Sequence, residues 1–358
     1  MSSPLQASLA PLAVVYTGGT LGCHGQPLRP LPGARLQPAV EQLLSSWPQP
    51  LHWQAWTVPL DSSQLTPQHW TDLLEQCVGF YQQGIRHVLI LHGTDTLAYT
   101  GALLAEALAG SDLQVVLTGS QQPLLQADFS IDPDSDAPDN LRQAVQALFQ
   151  ARPGVRIAFA GESWPAQTVQ KIHTRDPAAF SGHLRAGHPA ISYQPLSPAL
   201  RQRWLAQWQQ HWPDTAARLL AGRVLTHYFT PQQPAVCLAT LQGLLAQQPD
   251  AVILQGYGSG NLPDWPELQA WARTAHRQGV LVVAATQVPF GGTDTRYACT
   301  AWLADAQVLP AARLTLPALH ARLCWLVARY DSPAQRRRRW RTLLNDPRTT
   351  ARDDRHER

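Results

Sequence analysis

The chain has 358 residues, 44% of them hydrophobic and 15% charged, with a formal net charge of +3. At about 150 residues per domain this length predicts two domains, each with its own core. The small net charge gives no general drive towards nucleic acid or a membrane surface; no stretch nears the about 18 apolar residues of a membrane span, and the start lacks the positive segment of a secretory signal, so a cytoplasmic protein is expected.

Short β-branched or leucine-rich runs predict strands at Ala13 to Tyr16, His87 to Leu91, Gln114 to Thr118 and Val155 to Phe159, then at Ala251 to Leu254 and Val280 to Ala284. Helical spacing lies between them. Pro67 to Tyr81 puts Trp70, Leu73, Leu74, Cys77 and Val78 on one stripe, and Gly101 to Leu108 and Asn140 to Phe149 follow the same period. Strands alternating with helices imply crossover connections, hence an α/β fold: an N-terminal, mostly parallel sheet with helices on both faces, and a smaller C-terminal α/β domain. The expected boundaries are a catalytic domain over 1–192, a linker over 193–222, the C-terminal domain over 223–332 and an arginine-rich tail over 333–358.

Two segments read in more than one way. In the linker, Trp204, Trp208 and Trp212 fall on one helix face, as an aromatic binding surface or, preferably, as a helix packed on its own domain or on a partner subunit. The run Arg336 to Arg339 before Trp340 reads as an RNA contact or, preferably, as a solvated helix end leading into a disordered tail. The five cysteines, Cys23, Cys77, Cys237, Cys299 and Cys324, contain no Cys-x-x-Cys, so neither a disulfide framework nor a zinc site is indicated, and no metal or organic cofactor is expected.

In a parallel sheet ligands bind beyond the carboxyl ends of strands. Two such ends carry hydroxyl groups: Thr17-Gly18-Gly19-Thr20 after the first strand, and His92-Gly93-Thr94-Asp95-Thr96 after the strand ending at Leu91. Glycine beside threonine allows a tight turn whose backbone N–H groups approach a substrate and act as an oxyanion hole. A phosphate cradle is the weaker alternative, because neither segment has the Gly-x-Gly-x-x-Gly or Walker spacing. A threonine hydroxyl is a poor nucleophile until a neighbouring base takes its proton. Lys171 is the single lysine among 28 basic residues, and an ε-ammonium can surrender a proton where a guanidinium cannot. Asp95 and Lys171 are therefore the pair to activate a threonine, if the fold brings them together.

With these segments in view the sequence resembles the bacterial L-asparaginase/glutaminase family, most of all its cytoplasmic type I enzymes. The resemblance spans nearly the whole chain: Tyr16 to Gly22, Leu60 to Pro67, Ile90 to Thr100, Leu117 to Gln121, Lys171 with Phe180, and Tyr257 to Asn261. It implies hydrolysis of the side-chain amide of L-asparagine through an acyl-enzyme, with Thr20 as nucleophile and Thr94, Asp95 and Lys171 as a second catalytic cluster. It further implies that Asp95 binds the α-amino group and Ser62 the α-carboxylate, with Asp61 and Ser63 beside it, and that Asn261 supports the site across a homodimer or a dimer of dimers. From the residues alone, Asp61 and Ser62 read equally as a turn before a helix, and Asn261 as a turn residue before Leu262-Pro263.

The chain departs from the family pattern in the loop after Thr20. Family members carry a tyrosine there; Gly22 to Gly33 has none, Leu28 falls at that place, and His24 is the alternative base. Gln170 precedes the lysine and Val288 replaces a cysteine, so the asparagine-driven allostery of some type I enzymes is not expected. Residues 126–136 read as an acidic insertion. A degenerate relative that binds an amino acid or a partner with little hydrolysis is the alternative function.

Overall fold

The computed structural model describes residues 10–150, 154–182, 195–294 and 300–344. They form two compact units, residues up to 182 with 195–208 in one and 209–344 in the other.

In chain order the first unit contains β1 (Leu12–Gly18), the short β2 (Cys23–His24) and β3 (Arg29–Pro30), α1 (Gly33–Leu44), β4 (Leu51–Leu60), α2 (Pro67–Gln82) and β5 (His87–Leu91). After these come α3 (Leu97–Ala107), β6 (Gln114–Thr118), α4 (Ala137–Gln150), β7 (Gly154–Phe159), β8 (Glu162–Pro165), β9 (Gln170–Lys171) and β10 (Phe180–Ser181). The six-stranded sheet has the order β4-β1-β5-β6-β7-β8. All pairs are parallel except β7 with β8.

The central strands are apolar throughout because both faces are covered. Leu12, Val14 and Tyr16 of β1 pack with Leu89 and Leu91 of β5 against Leu36, Val40 and Leu44 of α1 and Leu141, Val145 and Leu148 of α4. Their alternates, Ala13, Val15, Val88 and Ile90, face the other way and are equally buried. α2 and α3 pack on each other, and α3 lies on β6 and β7. Because β1 lies between β4 and β5, the chain leaves it in one direction and returns on the other side. In sheets of this kind such a reversal marks where ligands bind, here at the carboxyl ends of β1, β4 and β5.

The helix α5 (Pro198–Ala221) crosses the unit boundary at Trp208. Its first half is docked on the first unit: Trp204 packs edge-on against Tyr81 at 5.3 Å and donates its indole N–H to the Ala109 carbonyl at 3.3 Å. Arg201 forks onto the Asp112 carboxylate at 2.7 and 2.9 Å, while the Tyr81 hydroxyl donates to the same group at 2.5 Å. Trp204 is thus packing surface on the first unit, and Trp208 stacks on it at 5.4 Å.

The second unit holds a four-stranded parallel sheet, β11 (Val224–Tyr228), β12 (Ala251–Gly256), β13 (Leu281–Thr286) and β14 (Leu309–Pro310), in that order. Its helices are α6 (Pro234–Ala246), α7 (Pro266–Arg277), α8 (Ala301–Asp305), α9 (Leu316–Arg329) and α10 (Pro333–Leu344). The arginine run belongs to α10, with Arg336 buried, Arg337 half-buried and Arg338 and Arg339 exposed. Arg336 is buried on an ion pair with Asp250 at 2.6 Å, and the Trp340 indole is buried, donating to the Pro310 carbonyl at 3.3 Å. The guanidiniums of Arg336 and Arg337 are bonded within the unit, and the buried Trp340 anchors the helix. Cys299 and the residues past 344 lie outside the described residues.

Candidate active site

Four turns meet in the first unit, and three of them carry the residues singled out from sequence. After β1 the chain turns through Gly18 and Gly19, the latter at φ 86° and ψ 174°, a region open essentially to glycine alone. The next residue, Thr20, opens a short 3-10 turn and is half-buried. The Gly19 turn lies directly on the Gly93 turn: a methyl on Gly19 would sit 2.4 Å from the Gly93 Cα. A methyl on Gly93 would in turn sit 2.4 Å from Ser62 Oγ. Glycine at 19 and 93 therefore lets the segments bearing Thr20, Ser62 and Thr94 come together backbone to backbone.

Lys171 enters on β9, a two-residue strand paired with β10 so that Lys171 lies opposite Phe180. Its ammonium donates to Thr94 Oγ1 at 2.9 Å and to Asp95 Oδ1 at 2.8 Å, across 77 and 76 residues of sequence. Thr94, Asp95 and Lys171 thus form one cluster. No bond links the Thr20 hydroxyl to that cluster among the described residues; Thr20 is the neighbour of the cluster through its backbone.

Asp61 caps the short turn over Ser62–Gln64, its carboxylate accepting from the Ser63 N–H at 3.0 Å. Ser62 is buried, and its carbonyl accepts from Thr96 Oγ1 at 2.9 Å, which ties this turn to the one bearing Thr94. Ser63 and Asp61 are exposed. Asn261 belongs to the second unit, in a turn closed by its N–H on the Tyr257 carbonyl at 2.8 Å, and its Oδ1 is buried without a partner among the described residues.

The loop after Thr20 is held from several sides. Cys23 donates its thiol to the Gly19 carbonyl at 3.3 Å, and burial, helped by the charge of Asp61, pushes that thiol up to about 11, so it stays protonated. His24 stacks on Phe129 at 4.4 Å, and its Nε2 lies 3.1 Å from the Gln126 carbonyl. A carbonyl only accepts, so Nε2 carries the proton. Leu28 is 52% exposed.

Two sets of residues escaped the sequence reading. Asp136, assigned to an acidic insertion, takes the Gln121 N–H at 2.9 Å and the Gln122 N–H at 2.9 Å, while Asn140 donates to the Gly119 carbonyl at 3.0 Å. Together they fix the turn after β6, whose Gly119 lies against the His92 carbonyl. His92 itself is buried, 1% exposed, and burial pushes its imidazole down to about 4. A polar side chain closing an apolar strand was the available signal for it.

Comparison with known proteins agrees across both units. The family model described as Asparaginase, N-terminal, matches residues 11–191, and that of the Glutaminase/Asparaginase C-terminal domain matches residues 223–339. An L-asparaginase of Thermococcus kodakarensis is 30% identical over 74% of this chain and 76% of its own length. L-asparaginase 1 of Escherichia coli K12 is 28% identical over 88% of this chain and 91% of its own. The solved thermostable L-asparaginase from Thermococcus kodakarensis has the same fold, with a TM-score of 0.72 at 24% identity over 95% of this chain and 98% of that one. L-asparaginase I from Vibrio cholerae gives a TM-score of 0.72 at 23% identity, over 92% and 96%. The chain belongs to the asparaginase family of amidohydrolases.

Proposed function

We propose that this protein hydrolyses the side-chain amide of L-asparagine, releasing ammonia and L-aspartate through an acyl-enzyme on Thr20. The observation that carries the reading is the contact of Lys171 with both Thr94 and Asp95 at the carboxyl end of β5. Thr20 attacks the amide carbon and its hydroxyl proton goes to the departing nitrogen, so that ammonia leaves; a water then opens the ester, its proton passing through Thr94 to Lys171 in its amine form, where Asp95 stabilises the ammonium until the proton returns to the released Thr20 oxygen. Backbone N–H groups of the glycine turns receive the developing oxyanion. A zwitterionic amino acid needs an anion and hydrogen-bond donors at its other end: Asp95 takes the α-amino group and Ser62 the α-carboxylate, with Asp61 and Ser63 beside it.

The working unit in this reading is a cytoplasmic homodimer or dimer of dimers acting on a small amide without a cofactor, in which Asn261 supports a neighbouring site. The unpartnered Oδ1 of Asn261 and the four free described cysteines support it. The test is ammonia release from L-asparagine, with L-glutamine and other ω-amides alongside. Thr20→Ala and Thr94→Ala should each lose activity by orders of magnitude. Unchanged turnover rejects the assignment, and calorimetric binding of L-asparagine without ammonia release would identify a degenerate binder instead.

A further inference from the structure

His92 lies directly beside the Thr94 turn, in a polar chain that the proposed reaction does not use. The indole N–H of Trp70 on α2 donates to Thr100 Oγ1 on α3 at 3.1 Å, and Thr100 Oγ1 is 3.1 Å from His92 Nε2. On the other side of the ring, His92 Nδ1 is 2.8 Å from the Gly93 carbonyl oxygen. A carbonyl oxygen has no proton to give, so Nδ1 carries one. A neutral imidazole then presents Nε2 as an acceptor, and Thr100 is the donor to it. The burial that pushes this imidazole down to about 4 keeps it neutral at ordinary pH, which fixes the direction of the whole chain.

The consequence falls on the peptide joining Gly93 to Thr94. In a trans peptide the carbonyl and the N–H point in opposite directions. With the Gly93 carbonyl held on the buried imidazole, the Thr94 N–H is aimed away from the α2 and α3 layer. No group among the described residues accepts from it. Gly93 has no side chain to restrain this peptide, and the Gly19 turn pressed against it admits little reorientation.

We propose that His92, oriented by Thr100 and Trp70, is a positioning residue that holds the Gly93–Thr94 peptide with its N–H turned towards the amide under attack. The role rests on the reading of this site as an asparagine amidohydrolase. A donor aimed at developing charge acts mainly in the transition state, so its loss falls on kcat more than on KM. The α-amino and α-carboxylate contacts are made elsewhere.

The experiment compares His92→Asn, His92→Phe and Thr100→Val with the wild-type protein by ammonia release from L-asparagine. Circular dichroism checks the fold, and 15N NMR of the wild-type imidazole reports its tautomer. Asparagine places an N–H where Nδ1 stands; phenylalanine places none. H92F is expected to lose kcat at least tenfold with KM within about twofold, and H92N to recover most of that loss. Thr100→Val falls between them, and the NMR shows Nδ1 protonated and Nε2 bare from pH 6 to 8. A folded H92F with wild-type kcat, a loss confined to KM, an H92N as impaired as H92F, or an Nε2-protonated ring overturns the role. If H92F does not fold, H92N, Thr100→Val and the tautomer decide. Wild-type activity abolished by Thr20→Ala but indifferent to His92 overturns this inference alone; a wild-type protein that releases no ammonia overturns both.

Discussion

Replacing Gly19 by alanine probes the backbone contact on which the candidate site is built. The added methyl would lie 2.4 Å from the Gly93 Cα and 2.5 Å from the Gly93 nitrogen, both backbone atoms that no rotamer can move. Carbon atoms in contact sit about 3.5–4.0 Å apart, so the two turns must separate by about 1 Å. A misplacement of that size costs roughly 10²-fold in rate. The conformation of Gly19, φ 86° and ψ 174°, adds about 1–3 kcal/mol of strain for any other residue. Gly79→Ala is the control, because it lies inside α2 with nothing within 4 Å of a new methyl, and it should gain about 0.5–1 kcal/mol. The assay is kcat for ammonia release beside the urea midpoint of each variant. A Gly19→Ala protein with wild-type kcat and midpoint would show that the turns are not in contact and that the proposed geometry is wrong.

Lys171→Arg keeps the charge beside Asp95 but removes the group able to give up a proton; circular dichroism should show a folded protein, and ammonia release should fall by about 10²–10⁴. Asp112→Asn should lower stability by about 2–3 kcal/mol in urea unfolding and loosen the start of α5. Burial pushes the Asp112 carboxyl up, yet hydrogen bonds from Arg201 and Tyr81 outweigh it and the net shift is downward, so the ionised form is the one the fold uses; an unchanged midpoint contradicts this. His92 makes the fold acid-sensitive. Its folded-state pKa of about 4 lies below the ordinary 6.5, so as pH falls the unfolded chain takes up the proton first. The group costs nothing above pH 6.5, and about 3 kcal/mol is lost between pH 6.5 and 4. Urea midpoints at pH 7, 5.5 and 4.5 should decline, and less steeply in His92→Asn; a flat profile in the wild type is inconsistent with a buried neutral ring. Leu28→Ala should leave kcat within about twofold, since an exposed tip residue holds nothing in place; a tenfold loss would give the loop tip a direct part in the reaction.

The strands at His87–Leu91 and Gln114–Thr118 were legible to the residue because both of their faces are buried and the apolar run has sharp ends. β4 was not. It is an edge strand whose residues are all half-buried or exposed, so histidine, glutamine and threonine interrupt the apolar signal that betrays a central strand. α1 was hidden by Pro38 and by the proline-rich approach to Gly33, although Leu36, Val40 and Leu44 keep a spacing of four along its buried face. In the site, Lys171 was conspicuous by rarity, and the motif around Thr94 by composition. Neither predicts that they touch. That contact depends on β9, two residues long and paired only with β10, too short for any periodicity to reveal. Asp136 was read only as part of an acidic insertion, because the three hydrogen bonds it accepts from backbone N–H groups carry no sequence signature.

The absence of a tyrosine in the loop after Thr20 bears on how that threonine is held. The Gly19 carbonyl is fixed by the Cys23 thiol, and the Gly19 N–H by the Leu60 carbonyl at 3.0 Å. Gly22 lies against the ring of buried Tyr16, whose hydroxyl would be 2.1 Å from any added methyl. His24 is tied to the backbone of 126–127 and stacked on Phe129. Each restraint acts through backbone or through side chains anchored in the first unit, and none passes through the loop tip at Leu28. The backbone of Thr20 is therefore oriented independently of the residue that replaces tyrosine. What a tyrosine at the tip could add is chemical, a phenol near the proposed nucleophile, rather than architectural. In the proposed reaction Thr20, held by the β1 and β4 turns, still needs a proton acceptor, and the turn packed against its own carries Thr94, which Lys171 contacts from β9.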